Sequence, residues 1–359
     1  MRHCWRFFPA EAARYPAAER GHPLVTIYDI AKQANVSAMT VSKVINNTGK
    51  ISEKTRARVK QIMNDLNYVP NSMARSLVLQ ETKILSLLIP DITNPFFTTV
   101  ARGAEDAAMR LGYKLLFGNS DEWLKKEKEY VDIILSTRVD GVLFSPASDE
   151  SGVHLDMLRR HNIPFVLLDR AVPGIDSDMV SGNNKDGARE LVEHLISLGH
   201  RRIAVICGAL SVSTARDRLA GYKEALKLND LPADESLVLE MNYKQFADED
   251  ALRRLLALPE PPTAIFAGNN FIAVGLIRKL NELGIQVPQQ MSVVCFDDLG
   301  ASVIDPFFTV VSQPAYQFGT MGIQLLVERI KGTATPAWTK ILLKSELIVR
   351  HSSAKPAVL

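Results

Sequence analysis

Two groups of residues in this chain have the types and spacing to do chemistry, and both suit binding rather than the making or breaking of bonds. The first lies between positions 37 and 46, where Ser37, Ala38, Met39, Thr40, Ser42, Lys43 and Asn46 are small, polar or basic and include no acid. A helix face of that kind can come close to phosphate oxygens and base edges. The second group follows a series of apolar runs: Asp91 and Asn94, Asn119 to Asp121, Asp169 and Arg170, Asn269 and Asn270, Asp297 and Asp298. Phe96, Phe97 and Tyr243 add rings, and Arg218 adds a fork of donors. Carboxylates and amides beside rings suit a small ligand with many hydroxyls, because each hydroxyl donates and accepts while a ring stacks on an apolar face.

The first group needs short helices to carry it. Ile27, Ile30, Ala31 and Ala34 recur at helical spacing, and Thr26 followed by Asp29 is a capping-box-like start. Asn35 and Val36 break the pattern. Ser37 then caps a second helix whose inward positions are Val41, Val44 and Ile45. Ser52 starts a third, with Val59, Ile62, Met63 and Leu66 closing a three-helix core. Two short helices joined by a tight turn form a helix-turn-helix, whose second helix lies in the DNA major groove.

Charge favours the same reading. The net charge of +2 averages two unlike parts. From Val25 to Lys83 there are nine Lys or Arg against four Asp or Glu, whereas Ile84 to Leu359 holds 29 against 34. A basic excess confined to the small domain is the footprint of nucleic-acid binding. Pro70 then stops the helical pattern, and Asn71 can cap a short segment that is too brief to be a stable helix alone.

The second group needs a sheet. Apolar runs at 84–90, 113–119, 140–146, 163–169, 201–207, 262–268 and 291–297 alternate with amphipathic helices. Continuous apolar strands separated by helices predict parallel, doubly wound α/β layers covered on both faces. Ligands of such sheets bind beyond the carboxyl ends of the strands, where the polar residues stand. Asp186 and Asp298 have the position of helix caps instead. Cys4, Cys207 and Cys295 are scattered without metal-ligand spacing, and the last two are expected to be buried thiols in a reducing cytoplasm. No cofactor motif is found: there is no GxGxxG, Walker sequence or HExxH.

With these residues in view, the stretches VTIYDIAKQANVS, TVSKVIN, ISEKTRARV, LNYVPN and MARSL resemble the DNA-binding headpiece of the lactose-repressor (LacI) family of transcription regulators. Further on, LLIPDITNPFF, IPFVLLDR, RDRLAGY, PTAIFAGNN and VPQQMSVVCFDD are similar to that family's regulatory core, which is like the periplasmic sugar-binding proteins. The resemblance implies a headpiece at 25–70, a hinge helix and linker at 71–83, a two-lobed effector-binding and dimerisation core at 84–351, and a tail at 352–359. Residues 1–24 precede the usual start of the headpiece and are expected to be a disordered extension, without the apolar stretch of a secretory signal.

Carried over position by position, the resemblance implies DNA contacts at Thr26, Ile27, Tyr28, Ser37, Ala38, Met39, Thr40, Ser42, Lys43, Asn46, Thr55, Asn71, Ala74 and Leu77. Leu77 would enter the minor groove from a hinge helix paired across a dimer. It implies effector contacts at Asp91, Phe96, Phe97, Asp169, Arg218, Tyr243, Asn269 and Asp297. Asn270 and the Gly182-Asn183-Asn184 segment depart from the acids usual in the family. The expectation is a cytoplasmic, non-enzymatic repressor that binds a near-palindromic double-stranded operator as a homodimer, or as a tetramer, under control of a carbohydrate-like effector. Two alternatives stand beside it: control by a partner protein, as in global carbon-catabolite regulators, and a sugar enzyme or transport-associated binding protein with no DNA role.

Overall fold

The structure, a computed structural model, describes residues 25–68, 81–241, 249–299 and 306–357. Contacts divide the chain into two compact units, one ending at Thr82 and the other starting at Lys83. The first contains α1 (Ile27–Ala34), α2 (Ala38–Ile45) and α3 (Glu53–Asp65).

Each of these helices starts where the sequence marks it. The Thr26 N–H donates to Asp29 Oδ2 at 2.8 Å, completing the capping box. Ser37 Oγ accepts from the Thr40 N–H at 3.1 Å, and Ser52 Oγ accepts from the Thr55 N–H at 3.2 Å. Helix α1 ends because Asn35 takes a left-handed φ of 49°, which Asn tolerates better than most other side-chain-bearing residues. Ile30, Ala34, Val41, Val44 and Val59 then meet in one buried cluster, with Ile27, Ile45, Ile62, Met63 and Leu66 packed partly against it.

The second unit is built on two sheets. Its strands, among the described residues, are β1 (Ile84–Ile89), β2 (Lys114–Asn119), β3 (Gly141–Phe144), β4 (Phe165–Leu168), β5 (Asp178–Gly182), β6 (Ile203–Cys207), β7 (Val238–Glu240), β8 (Ala264–Ala267), β9 (Ser292–Phe296), β10 (Thr309–Ser312), β11 (Lys340–Leu343) and β12 (Glu346–Ile348). The helices are α4 (Pro95–Arg110), α5 (Leu124–Thr137), α6 (Gly152–Arg160), α7 (Asn184–Ser197), α8 (Ser213–Leu228), α9 (Glu249–Leu256), α10 (Asn270–Glu282) and α11 (Ala315–Ile330). One sheet has the order β11-β5-β4-β3-β1-β2 and the other β12-β10-β9-β8-β6-β7.

All seven apolar runs become strands. Among the described residues every pairing is parallel except β10 with β12, which is antiparallel, so the expectation of purely parallel sheets is corrected at that edge. Each sheet is covered on both faces. Leu85, Leu87 and Leu143 pack against Phe318 and Leu326 on one side of the first sheet, and Leu88, Val142 and Phe144 pack against Val131 and Leu155 on the other. The second sheet buries Ile206, Ile265 and Val293 on one face and Val205, Phe266 and Val294 on the other.

The sequence order of these elements makes the chain cross between lobes three times. It leaves the first sheet after β5, because α7 packs on the second through Leu191 and Val192. It returns after β10, because α11 packs on the first through Phe318 and Ile323. It leaves again between β11 and β12. The three crossings are tied side by side: Asn183 Oδ1 accepts from the Ser345 N–H at 2.8 Å and from its hydroxyl at 2.7 Å. Gly182 lies so close to Gln313 that a Cβ there would stand 1.8 Å from Gln313 Oε1.

The expected tail after His351 begins inside the second lobe instead. Ser352 is fully buried, its N–H donating to Phe307 O and its hydroxyl accepting from the Thr309 N–H. His200 joins this stitch, with Nε2 2.9 Å from Ala354 O. Cys207 and Cys295 are buried free thiols, and burial raises the pKa of both.

Candidate functional site

In the headpiece, the outward face of α2 keeps the expected residues together. Tyr28 and Met39 are 73% and 68% exposed, far more than residues of their size need be. Lys43 is exposed, its stem lying along Gly49. Ser37 and Thr40 share a contact of 3.0 Å between their hydroxyl oxygens, and Thr55 pairs with Ser52 in the same way at 2.9 Å. Asn46 donates to Ser42 Oγ at 3.3 Å, while its own Oδ1 is buried and without a partner. Two residues differ from the expectation. Ile27 and Ala38 both lean on the headpiece core, so only part of each is available to a partner. Helical spacing had placed Ile27 inward as well, and for Ala38 a single methyl cannot reach far from the axis. Asn71, Ala74 and Leu77 lie outside the described residues.

In the second unit, seven of the expected effector residues line one cavity between the lobes: Asp91, Phe96, Phe97, Asp169, Arg218, Asn269 and Asp297. Its empty space is about 400 Å³, part of it open to solvent. Tyr243 lies outside the described residues. Asn94 and Arg170, polar residues at strand ends that were not among the expected contacts, also reach the cavity, and so do Glu122, Thr214 and Phe271. Glu122 follows the polar run Asn119 to Asp121 by one residue, so the strand-end rule stopped just short of it. Thr214 and Phe271 lie in the first turns of α8 and α10, which that rule could have covered if extended by a helical turn.

The local folds explain why these side chains converge. Asn94 caps α4 by accepting from the Phe96 N–H at 3.0 Å, which turns Phe96 and Phe97 inward, their rings 5.0 Å apart edge to face. Asn269 caps α10 in the same manner, accepting from the Ile272 N–H at 2.8 Å. Asp169 ends β4 with φ 65°, and Asp297 ends β9 with φ 67°. Their N–H groups bond to Val180 O and Val311 O on the neighbouring strands at 2.8 and 2.9 Å.

Arg218 is 4% exposed and fully engaged by the wall. It donates to Asn184 Oδ1 at 2.8 Å, to Gly268 O at 2.7 Å and to Asp297 Oδ2 at 3.4 Å, with its guanidinium 3.8 Å above the Phe296 ring. Asp297 also accepts from Gln313 Nε2 at 2.8 Å. Arg170 donates to Pro146 O at 3.1 Å and to Glu122 Oε1 at 2.8 Å. Burial raises the pKa of Asp169 to about 6, against the opposing pull of Arg170 and Arg218. Burial also raises that of Asp297. Asp169 Oδ1 is buried without a partner.

The two departures in sequence have defined places. Asn184 holds Arg218, and Asn270 Nδ2 crosses to Asn94 Oδ1 on the other lobe at 3.3 Å. The lobes also meet where Arg216 clamps Asp149 at 2.6 and 3.0 Å. The Asp298 carboxylate is paired with Arg350 at 2.5 Å and also accepts from the Leu299 N–H at 2.8 Å; the segment it was expected to cap lies outside the described residues. Asp186 lies in the first turn of α7, where Arg189 approaches it at 3.6 Å.

No cluster of metal-ligating side chains occurs among the described residues, and no helix there is long and apolar enough to cross a membrane. Residues 26–71 match the family of bacterial regulatory proteins of the lacI type, and residues 192–353 match a periplasmic binding protein-like domain. The transcriptional regulator DegA of Bacillus subtilis is 36% identical across 92% of this chain and 98% of its own length. The repressor PurR of Vibrio atlanticus is 35% identical across 86% of this chain and 92% of its own. Among solved structures, the lac repressor dimer bound to operator and an anti-inducer superposes with a TM-score of 0.79 at 27% identity, covering 92% of this chain and all of that one. The chain therefore belongs to the LacI family, as a DNA-binding transcriptional repressor and not an enzyme.

Proposed function

We propose that this repressor holds its operator through α2 and the segment around Leu77, and that a carbohydrate-like effector in the interlobe cleft sets the strength of that hold. The cavity between the lobes carries the reading: it gathers carboxylates, amides, arginines and three phenylalanine rings, and it contains a buried acceptor, Asp169 Oδ1, that needs a donor. A sugar hydroxyl supplies one. Relatives of known structure support the choice, since one is the regulator CelR in complex with cellobiose, with a TM-score of 0.68, and another is a regulator from Enterococcus faecium with bound ribose, with a TM-score of 0.67.

The headpiece at 25–70 reads one half-site, so the protein acts as a homodimer on a near-palindromic operator in the cytoplasm. Lys43, Tyr28 and the amides of the capped helix starts hold phosphate, while Met39, Ser42 and the free part of Ala38 face bases. Ala38 and Met39 have no side-chain hydrogen-bond donor and suit thymine methyl groups. The effector acts by binding two arrangements of the lobes unequally, and the tied crossings at Asn183, Gln313 and Ser345 are the place where they turn.

The test is a thermal-shift screen of the full chain against pentoses, hexoses and nucleosides, with Arg218→Ala as control, followed by DNA binding with and without each hit. Stabilisation that Arg218→Ala abolishes, together with altered DNA affinity, is the expected result. A ligand that stabilises both proteins equally, or leaves DNA binding unchanged, contradicts the proposal.

A further inference from the structure

We infer that the cleft selects an uncharged or positively charged hydrogen-bond donor and turns away anions, so that a free sugar, and not its phosphate, is the effector. This deepens the reading of the cleft as the effector site and rests on it. Among the described residues, four carboxylates line the cavity, Asp91, Glu122, Asp169 and Asp297, against the two guanidinium groups of Arg170 and Arg218.

The arginines do not present an anion site. Arg218 directs its donors to Asn184, Gly268 and Asp297; Arg170 bonds through its two terminal nitrogens to Pro146 and Glu122, and its Nε faces Asp169 Oδ2 at 3.9 Å. An incoming phosphate would have to break those bonds to reach the terminal nitrogens of either arginine, and would meet Asp169 beside the Arg170 Nε. The acids, by contrast, ask for donors. Asp169 Oδ1 is buried with no partner, and a buried acceptor left unmet is costly. A hydroxyl or an ammonium meets that need, whereas a phosphate carries mainly acceptors at neutral pH and a charge of about −1.5 to −2. Beside buried carboxylates such as Asp91, Asp169 and Asp297, like charges repel more strongly than in bulk solvent. Burial is what raises the Asp169 pKa most; Arg170 and Arg218 oppose the rise, and Asp297 and Asp217 add to it less strongly.

The experiment follows thermal unfolding of the full chain in sodium phosphate and in sodium chloride of equal ionic strength, and then with glucose, glucose 6-phosphate, ribose and ribose 5-phosphate. It is run on the wild type and on the Asp91→Asn/Asp169→Asn double variant. The first of these substitutions is not expected to disturb the fold, because an amide oxygen can still accept from the Thr93 N–H as the Asp91 carboxylate does at 2.9 Å. The wild type is expected to ignore phosphate and both sugar phosphates. The double variant is expected to gain at least about tenfold in apparent phosphate affinity, a change of about 1.4 kcal/mol. Stabilisation of the wild type by any of these anions, lost in Arg218→Ala, overturns the inference. So does a double variant that gains nothing, because acid surplus is then not what keeps anions out. A neutral sugar whose effect survives Arg218→Ala instead sinks the placement of the effector in this cleft, and leaves the charge argument to stand on the phosphate result.

Discussion

Asp169 and Asp297 occupy matching stations in the two lobes: each ends a central strand, each turns the chain with a left-handed φ of 65° or 67°, and each lines the same cavity. Their N–H groups bond to the next strand outward, Val180 on one sheet and Val311 on the other. The repeated arrangement puts a buried carboxylate on either side of the cleft. It also makes the cleft a place of stored electrostatic cost, which a donor-bearing ligand relieves.

That cost predicts a pH dependence. Burial raises the Asp169 pKa from 3.8 to about 6, so the folded protein holds this proton more tightly than the unfolded chain does. The contribution of Asp169 to stability is therefore greatest at low pH and falls as pH rises from about 4 to about 6. Asp169→Asn removes the penalty while keeping a residue that tolerates the left-handed turn. At pH 7 the variant should be more stable by roughly 3 kcal/mol, with little difference at pH 4. Urea midpoints at the two pH values measure this, and an equal change at both would contradict the assignment.

Arg218 is predicted to be needed for the fold of the cleft as well as for its ligand. Arg218→Ala leaves Asp297 without its cation and Asn184 and Gly268 without their donor, at a cost of about 3–5 kcal/mol. Arg218→Lys should recover little of this, because one ammonium cannot reproduce three fixed donors and the stacking on Phe296. Denaturant midpoints of both variants decide the matter; a lysine variant as stable as the wild type would show that charge alone suffices.

What the chain made legible in advance follows from local physics. Six of the seven strands showed as apolar runs because strands covered on both faces must be apolar throughout; β2 is apolar without that cover, with Leu116 and Phe117 exposed. The capping residues marked three helix starts: the Ser37 and Ser52 hydroxyls accept from amides three residues on, and Thr26 gives its N–H and hydroxyl to the Asp29 carboxylate. β5, with its polar Asp178 and Ser181, and β7, β11 and β12, with three or four residues each, carry no such signature. They are strands only because a neighbouring strand offers its edge. In the cleft, the residues just beyond strand ends were foreseeable, but Glu122, Thr214 and Phe271 enter through the sheet order and the angle of the following helix or turn. Long-range ties such as Asn183 to Ser345 depend on three crossings that no single stretch announces.

Close approach of α4 and α11 gives a prediction about the first lobe. A Cβ on Gly103 would stand 2.1 Å from Tyr316 O, and one on Gly319 would stand 2.1 Å from Val100 O. These are backbone atoms, so no side chain can move aside. Gly103→Ala should cost roughly 1–3 kcal/mol by forcing the helices apart. Thermal unfolding checks this; an unchanged midpoint would mean that the helices are less tightly apposed.

In the headpiece, Lys43 and Met39 should behave differently. Lys43→Ala should weaken binding to all DNA sequences alike and lower the salt slope by about 1, as loss of one phosphate contact does. Met39→Ala should instead change the preference at one base pair by roughly 1–3 kcal/mol while leaving the salt slope intact. Fluorescence anisotropy across a salt series on single-base operator variants separates the two.

The most direct measurement of the central claim is the affinity of the full chain for a fragment selected from a library of promoter DNA, followed in a salt series with and without a neutral sugar found to stabilise the protein. The account predicts sequence-selective binding that weakens steeply with salt and shifts by at least about fivefold when the sugar is present. Binding that ignores sequence and salt, or that the sugar leaves unchanged, would contradict it.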